Sequence, residues 1–454
     1  MGVLDPSPTG PSLPTTGGAT ITGDASTSGD ASTGSGPTTG ELLTGGVAST
    51  GGGASTGGAT TTGGADTDGL WAPKPCPAIY AQDLLPTFEI ELAPAQLSAI
   101  TEEWLLANEK KISEHAVKTF KYDDTIITNA TVRLRGNTMR WPDQGKMQFE
   151  VSFNTIDKKG RFMGLKHVLF DAAAYNLSFL RDRLALAIMR DVGLAAPCAN
   201  NARLVLNGEY YGLFTNIEKV DSEFLERNFE DPDGNLYKKT GGPGGNGGGL
   251  GWKRRNNEEN PDNSDAYALN DADTLPELLA VMNVDQALLE WAAEAVIPDR
   301  DGSWAGGLNL YVYNDPKTGF NIVPWDLDDT FTRLPADTDP YTFKKPADVF
   351  WGRPWYDIAT ADPVWFARYI ETIEYVVQHG YDVAVLQDRI DTWSSQIAVA
   401  VEEDPNKPFS TKKHLDQVKA KRAYVANRAA FLATWLKCWQ DGGTKDNEGN
   451  CEPP

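Results

Sequence analysis

Asn309-Leu-Tyr-Val-Tyr-Asn-Asp-Pro-Lys-Thr-Gly-Phe-Asn-Ile-Val-Pro-Trp-Asp-Leu-Asp-Asp-Thr-Phe331 reads as a strand hairpin that delivers three carboxylates to one point. Leu310 to Tyr313 and Phe320 to Val323 are apolar, β-prone runs, separated by Asn, Pro and Gly turn chemistry. After Pro324 and Trp325 come Asp326, Asp328 and Asp329. Residues two apart in extended backbone share a face, so Asp326 and Asp328 are expected to point the same way. Carboxylates held that closely repel one another unless a cation sits between them, and hard oxygen ligands suit Mg2+ or Ca2+. The plainer reading is a solvated acidic turn after an edge strand.

Working outward, Asp299-Arg-Asp301 lies just before the hairpin and Asn309 opens it. A carboxylate, an amide and a second carboxylate in that order are what phosphoryl transfer asks for, one group orienting the acceptor hydroxyl and the others holding Mg2+. Far upstream, Arg133-Leu-Arg-Gly-Asn-Thr138 runs from a strand into a Gly turn, and Lys146 opens the next strand. Arg133 and Arg135 share a face, and a lysine near a Gly turn is a common holder of polyphosphate oxygens.

The rest of the chain is a long, uneven one. Of its 454 residues, 1 to about 70 are almost entirely Gly, Thr, Ser, Ala and Pro and read as a disordered, flexible tether. The whole chain carries −22, and removing the six acidic residues of that segment leaves −16, which argues against nucleic acid or an anionic membrane as partner. No apolar run approaches the roughly 20 residues needed to span a bilayer, and no export signal is visible. A Ser/Thr/Gly tether ahead of a globular domain is nevertheless a design for bacterial surface or extracellular proteins, with a lipid anchor expected upstream.

Four cysteines fit that compartment. Cys438 and Cys451 bracket a polar loop that a disulfide would close, and Cys76 and Cys198 are left to form a second bridge, although three connectivities are possible.

From Leu70 the periodicity predicts strands near 88–92, 118–122, 130–135, 147–153 and 167–170, and a hairpin across Asn207-Gly208. An amphipathic helix is expected over Asn176–Val192, with Arg181, Arg183 and Arg190 among its polar positions. The expected organisation is an α+β first lobe over 71–220 and a mainly helical second lobe over 221–438. A flexible Gly-rich insertion is expected at 241–274 and a tail over 439–454.

Taken together, Arg133-Leu-Arg-Gly-Asn, Lys146, Ser178-Phe-Leu-Arg-Asp-Arg-Leu-Ala, Leu206-Asn-Gly-Glu-Tyr-Tyr-Gly-Leu-Phe with Glu218, Leu236-Tyr-Lys238 and Asn309-Leu-Tyr-Val-Tyr through Pro324-Trp-Asp-Leu-Asp resemble the spore coat protein H (CotH) kinase family over about residues 80–435. That resemblance implies a two-lobed, atypical protein-kinase-like fold and a monomeric enzyme that uses ATP with Mg2+ or Mn2+ to phosphorylate Ser or Thr of secreted or surface proteins. It implies Asp301 and Asp326 as catalytic residues. Lys146, Arg135, Asn137 and Glu218 would bind ATP, and Asp326, Asp328 and Asn309 the metal. Against ordinary protein kinases, Asp326-Leu-Asp replaces Asp-Phe-Gly and no Gly-x-Gly-x-x-Gly loop precedes Lys146. The competing expectation is a non-catalytic surface or matrix binding module in which the acidic cluster holds a structural Ca2+.

Overall fold

The computed structural model describes residues 74–106, 112–136, 145–173, 175–239, 251–300, 302–342, 354–446 and 449–454. The expected tether, Asn137, Asp301 and the Gly run 241–250 lie outside the described residues.

Strands β1 (Thr87–Glu91), β2 (His115–Ala116), β3 (Thr119–Tyr122), β4 (Thr125–Ile127), β5 (Thr131–Leu134), β6 (Phe149–Ser152), β7 (His167–Asp171), β8 (Ala199–Leu206) and β9 (Glu209–Ile217) form one sheet. Its order is β2-β5-β6-β7-β9-β8-β1-β3-β4, and β1 runs parallel to β8 while the other pairings are antiparallel. The Asn207-Gly208 turn joins β8 to β9 because both residues adopt positive φ, 51° and 84°, which Asn and Gly tolerate best. Asn207 also reaches sideways, accepting from the Leu92 N–H at 2.6 Å and donating to its carbonyl at 3.1 Å. That clip fixes β1 beside β8. One sheet face is closed by an aromatic cluster in which Phe88, Phe120, Phe162 and Phe170 meet edge to face.

A second, four-stranded sheet has the order β11-β10-β12-β13, from β10 (Asn235–Lys239), β11 (Trp252–Arg254), β12 (Leu310–Asp315) and β13 (Gly319–Pro324). The hairpin read from 309–331 is therefore present as β12 and β13. The insertion expected at 241–274 is corrected beyond its Gly run, where the chain forms β11 and a helix over Ser264–Asp271. Polar composition hid both: Arg254 ties β11 to Tyr237 and to the carbonyls of Asn257 and Asn260.

Beyond β13 the chain is mainly helical, through Pro354–Ala361, Pro363–Gly380, Val383–Glu403 and Thr411–Gln440. The fold is thus mixed α+β with a large sheet and a helical C-terminal region. Among the described residues no helix is long and apolar enough to cross a membrane.

The amphipathic helix expected from Asn176 begins only at Arg181 and runs to Asp191. Asn176 causes the delay, since its side-chain oxygen accepts from the Ser178 hydroxyl and the Arg181 N–H and holds a turn instead. Its expected polar positions are also corrected: Arg181 and Arg183 are 4% and 1% exposed. Arg183 is buried because every direction of its guanidinium is met, by Gln82, Asn201 and Gln396, with Trp393 stacked at 4.1 Å. Both disulfides, Cys76–Cys198 and Cys438–Cys451, are formed, and the second closes a small hairpin in the expected tail.

Candidate active site

The two sheets and the segment after β13 enclose a cleft of about 980 Å3. One wall carries Arg133, Glu150 and Asp171 from β5, β6 and β7 and Arg135 just past β5; the other carries Lys238, Arg255, Tyr311, Trp325 and the three aspartates. Pro324 ends β13, and Asp326 then adopts φ 62°, a left-handed conformation that Asp accepts more readily than most residues. The expectation of a shared extended face is therefore replaced by a turn, which still leaves Asp326, Asp328 and Asp329 lining the cleft.

Carboxylates crowd here. Asp182, at the start of the Arg181–Asp191 helix, is 4% exposed, and burial together with Asp171 and Asp326 pushes its carboxyl up to about 7 against the pull of Arg181. Asp328 is raised well above the carboxylate range, by burial first and then by Asp326, Asp182, Asp329 and Asp171. Five acids from three elements thus oppose one another's ionisation, a situation that a cation relieves. Among the described residues no three His, Cys, Asp or Glu converge tightly enough to hold an ion alone.

Cations stand beside them. Lys238 lies 4.9 Å from the Trp325 ring centre and 5.3 Å from that of Tyr311. Burial pushes its ammonium down to about 8; Asp326 favours the charge, while Arg135 and Arg255 oppose it. Among the described residues neither Lys238 nor Arg255 has an ion-pair partner or a side-chain hydrogen bond, and Arg255 Nε is buried without an acceptor. The neighbouring cations differ, for Arg135 pairs with Asp171 at 2.7 Å and Lys219 with Glu150 at 2.8 Å. Burial would raise Glu150, but Lys219, Arg133 and His167 outweigh it and hold the carboxyl at about 2.

Of the residues expected from sequence, Arg135, Asn309, Asp326 and Asp328 line the cleft. Lys146 does not, and its expected phosphate role is corrected. It is fully buried, donating to the Leu213 carbonyl and pairing with Asp404 at 2.7 Å. Its ammonium is held down by burial, which the attraction of Asp404 partly offsets. The strand it precedes turns that side chain toward the Val383–Glu403 helix end rather than toward the cleft. Glu218 is likewise 1% exposed and absent from the cleft wall, held by both Arg227 amines and the Cys198 N–H. Sequence reasoning missed Lys238, Arg255, Asp171 and Asp182 as site residues. Two stood inside motifs already singled out, Leu236-Tyr-Lys238 and Ser178-Phe-Leu-Arg-Asp182, but nothing local placed them beside Asp326.

Fold and cleft together define a mixed α+β protein with opposed clusters of acid and base in one cavity. Residues 132–432 match the family model described as CotH kinase protein, and the chain belongs to that family. It is 22% identical over 332 residues to inner spore coat protein H of Bacillus subtilis (strain 168), an alignment that spans 67% of this chain and 86% of that relative.

Proposed function

We propose that the protein is an ATP- and divalent-cation-dependent phosphotransferase acting on Ser or Thr of surface or secreted proteins. The two-lobed kinase reading sets the nine-stranded sheet on one side of the cleft and the four-stranded sheet with the segment after β13 on the other. The observation that carries the proposal is the juxtaposition of Lys238 and Arg255, two cations without an ion-pair partner among the described residues, with crowded carboxyls in a cleft large enough for a nucleotide. Of a metal–polyphosphate, the cations would meet the phosphates and the crowded carboxyls the metal.

In this reading Lys238 and Arg255 hold phosphate oxygens, with Arg135 beside them, and burial strengthens those charge-assisted bonds. Asp326 and Asp328 hold the divalent cation together with Asn309, and Asp182 and Asp171 supply surrounding negative charge. The cation, when bound, neutralises charge that develops on the transferring phosphoryl group. ATP and an acceptor hydroxyl give ADP and a phosphoester, and Asp301 receives the hydroxyl proton. Trp325 and Tyr311, packed edge to face at 5.4 Å, shield this end of the cleft from water.

A surface location is supported by the two disulfides and by the spore coat placement in the relative's name. Incubating the full chain with γ-labelled ATP, Mg2+ or Mn2+ and protein acceptors tests the proposal. Metal-dependent labelling that Asp326→Ala abolishes is the expected result. Absence of labelling together with absence of any ATP-dependent thermal shift would favour a binding module instead.

A further inference from the structure

We propose that the Thr411–Gln440 helix positions the acidic segment of the cleft, with Phe331 as the anchor of that segment and Tyr424 and Lys421 as its socket. What this does for metal binding rests on the phosphotransfer reading above. Residues 325–342, which follow β13, contain neither helix nor strand. Their side chains are sorted nonetheless: Asp326, Asp328 and Asp329 line the cleft, whereas Leu327 and Phe331 are 0% and 2% exposed and pack in the core. The Thr330 hydroxyl closes the turn on the Leu327 carbonyl at 2.7 Å, and Arg181 donates to the Asp328 carbonyl.

Phe331 lies just beyond the acids at φ 59°, in the left-handed region. Gly, Asn and Asp tolerate that region, but a bulky aromatic residue is an outlier there and persists only where its surroundings hold it. Those surroundings are one face of the Thr411–Gln440 helix. The Tyr424 ring meets Phe331 edge to face at 6.0 Å, and Lys421 Nζ lies 5.4 Å from the centre of the same ring. Lys421 is 2% exposed and makes no hydrogen bond or ion pair among the described residues, so the Phe331 ring is what its ammonium meets.

The grip continues in register along the helix. Arg428 and Trp435 share the face of Lys421 and Tyr424 by helical spacing. Buried Arg428 donates to the carbonyls of Ala336 and Thr338, and Trp435 Nε1 donates to Asp339 at 2.8 Å. The other amines of Arg428 reach the carbonyls of Ala295 and Val296, so the end of the Val284–Val296 helix is held on the same face. Residues 331–339 therefore run along residues 421–435, and this irregular stretch takes its shape from the helix beside it. Phe331 is the contact nearest the acids, two residues from Asp329 and five from Asp326. Once released, its backbone can leave the left-handed region, and the carboxyls lose their place in the cleft.

The test uses the full chain with two variants. Tyr424→Ala removes a half-buried wall of the socket, and Phe331→Gly removes the anchor together with its left-handed strain. Amide hydrogen exchange is measured without metal, and Mn2+ affinity is measured by electron paramagnetic resonance with a non-hydrolysable ATP analogue. In both variants exchange over residues 326–333 should quicken about tenfold while the Thr411–Gln440 helix exchanges as in wild type. Mn2+ should bind about tenfold more weakly, and Tyr424→Phe should behave as wild type in both measurements. Exchange over 326–333 that Tyr424→Ala leaves unmoved, or that quickens equally along the whole helix, overturns the proposal, as does Mn2+ binding of wild-type strength. If wild type takes up no Mn2+ while local exchange still quickens in the variants, the positioning role stands and the phosphotransfer reading fails.

Discussion

Lys146 and Lys238 are both lysines withdrawn from water, and both have an aspartate as the nearest source of favourable charge. The first is matched one to one. Asp404 accepts from Lys146, from the Leu213 N–H at 3.0 Å and from the Asn406 N–H at 2.9 Å, and a side chain at Gly212 would collide with it at 2.6 Å. The second shares its cleft with Arg255 and Arg135 and with five crowded carboxyls. A charge matched locally belongs to the fold, whereas Lys238 and Arg255, without an ion-pair partner among the described residues, stand beside crowded carboxyls where a ligand carrying both signs of charge would fit. The lysine with the more motif-like sequence context turns out to be the structural one.

Lys146→Ala should break the first region most severely. Removing one partner of a buried ion pair typically costs about 3 to 5 kcal/mol, because the other charge is left stranded. Denaturant unfolding should show that loss. A variant as stable as wild type would remove the distinction between the two lysines.

Lys238→Ala should do the reverse. Relief of repulsion with Arg255 leaves stability unchanged or slightly higher, while loss of a charge-assisted phosphate contact, worth about 1.5 to 3 kcal/mol, weakens binding of an ATP analogue roughly tenfold to a hundredfold. Calorimetric titration checks the second part and thermal melting the first.

A smaller, pH-dependent effect sharpens the contrast from a third place. Glu290 and Glu294, both fully buried on the Val284–Val296 helix, hold the loop after Asp301: Ser303 donates to Glu290, and the Trp304 N–H donates to Glu294 at 2.7 Å. Burial and then the Glu294 charge raise the Glu290 carboxyl well above its usual range. The native state therefore keeps a proton that the unfolded chain releases above about pH 4.3. The stability this contributes is complete below that pH and is lost as pH rises through the folded value. Glu290→Gln should match wild type near pH 4.5 and gain on it toward pH 8, by at most about 1.4 kcal/mol per pH unit. A difference constant across pH in thermal melts would contradict this.

Much of the fold was legible because it is local. The β12–β13 hairpin, the Asn207-Gly208 turn and the long C-terminal helices follow from periodicity and turn chemistry within a few residues. The cleft was legible only in part. Asp326 and Asp328 stand together in sequence, but Lys238 meets them because β10 pairs with β12, placing Lys238 opposite Tyr311, 73 positions on. Arg183 looked like solvent-facing charge, since no pattern near it announces Gln82, Asn201 and Gln396 as partners. Lys146 misled for the same reason, its aspartate lying 258 residues away.

The central claim is that the cleft binds a metal–polyphosphate through two charge clusters at once. Titrating the full chain with a non-hydrolysable ATP analogue, with and without Mn2+, tests it most directly when Asp326→Ala and Lys238→Ala are measured beside it. Binding that requires Mn2+ in the wild type, loses its metal dependence in Asp326→Ala and weakens in Lys238→Ala is the predicted result. Binding of equal strength in all three proteins, or in none, would contradict it.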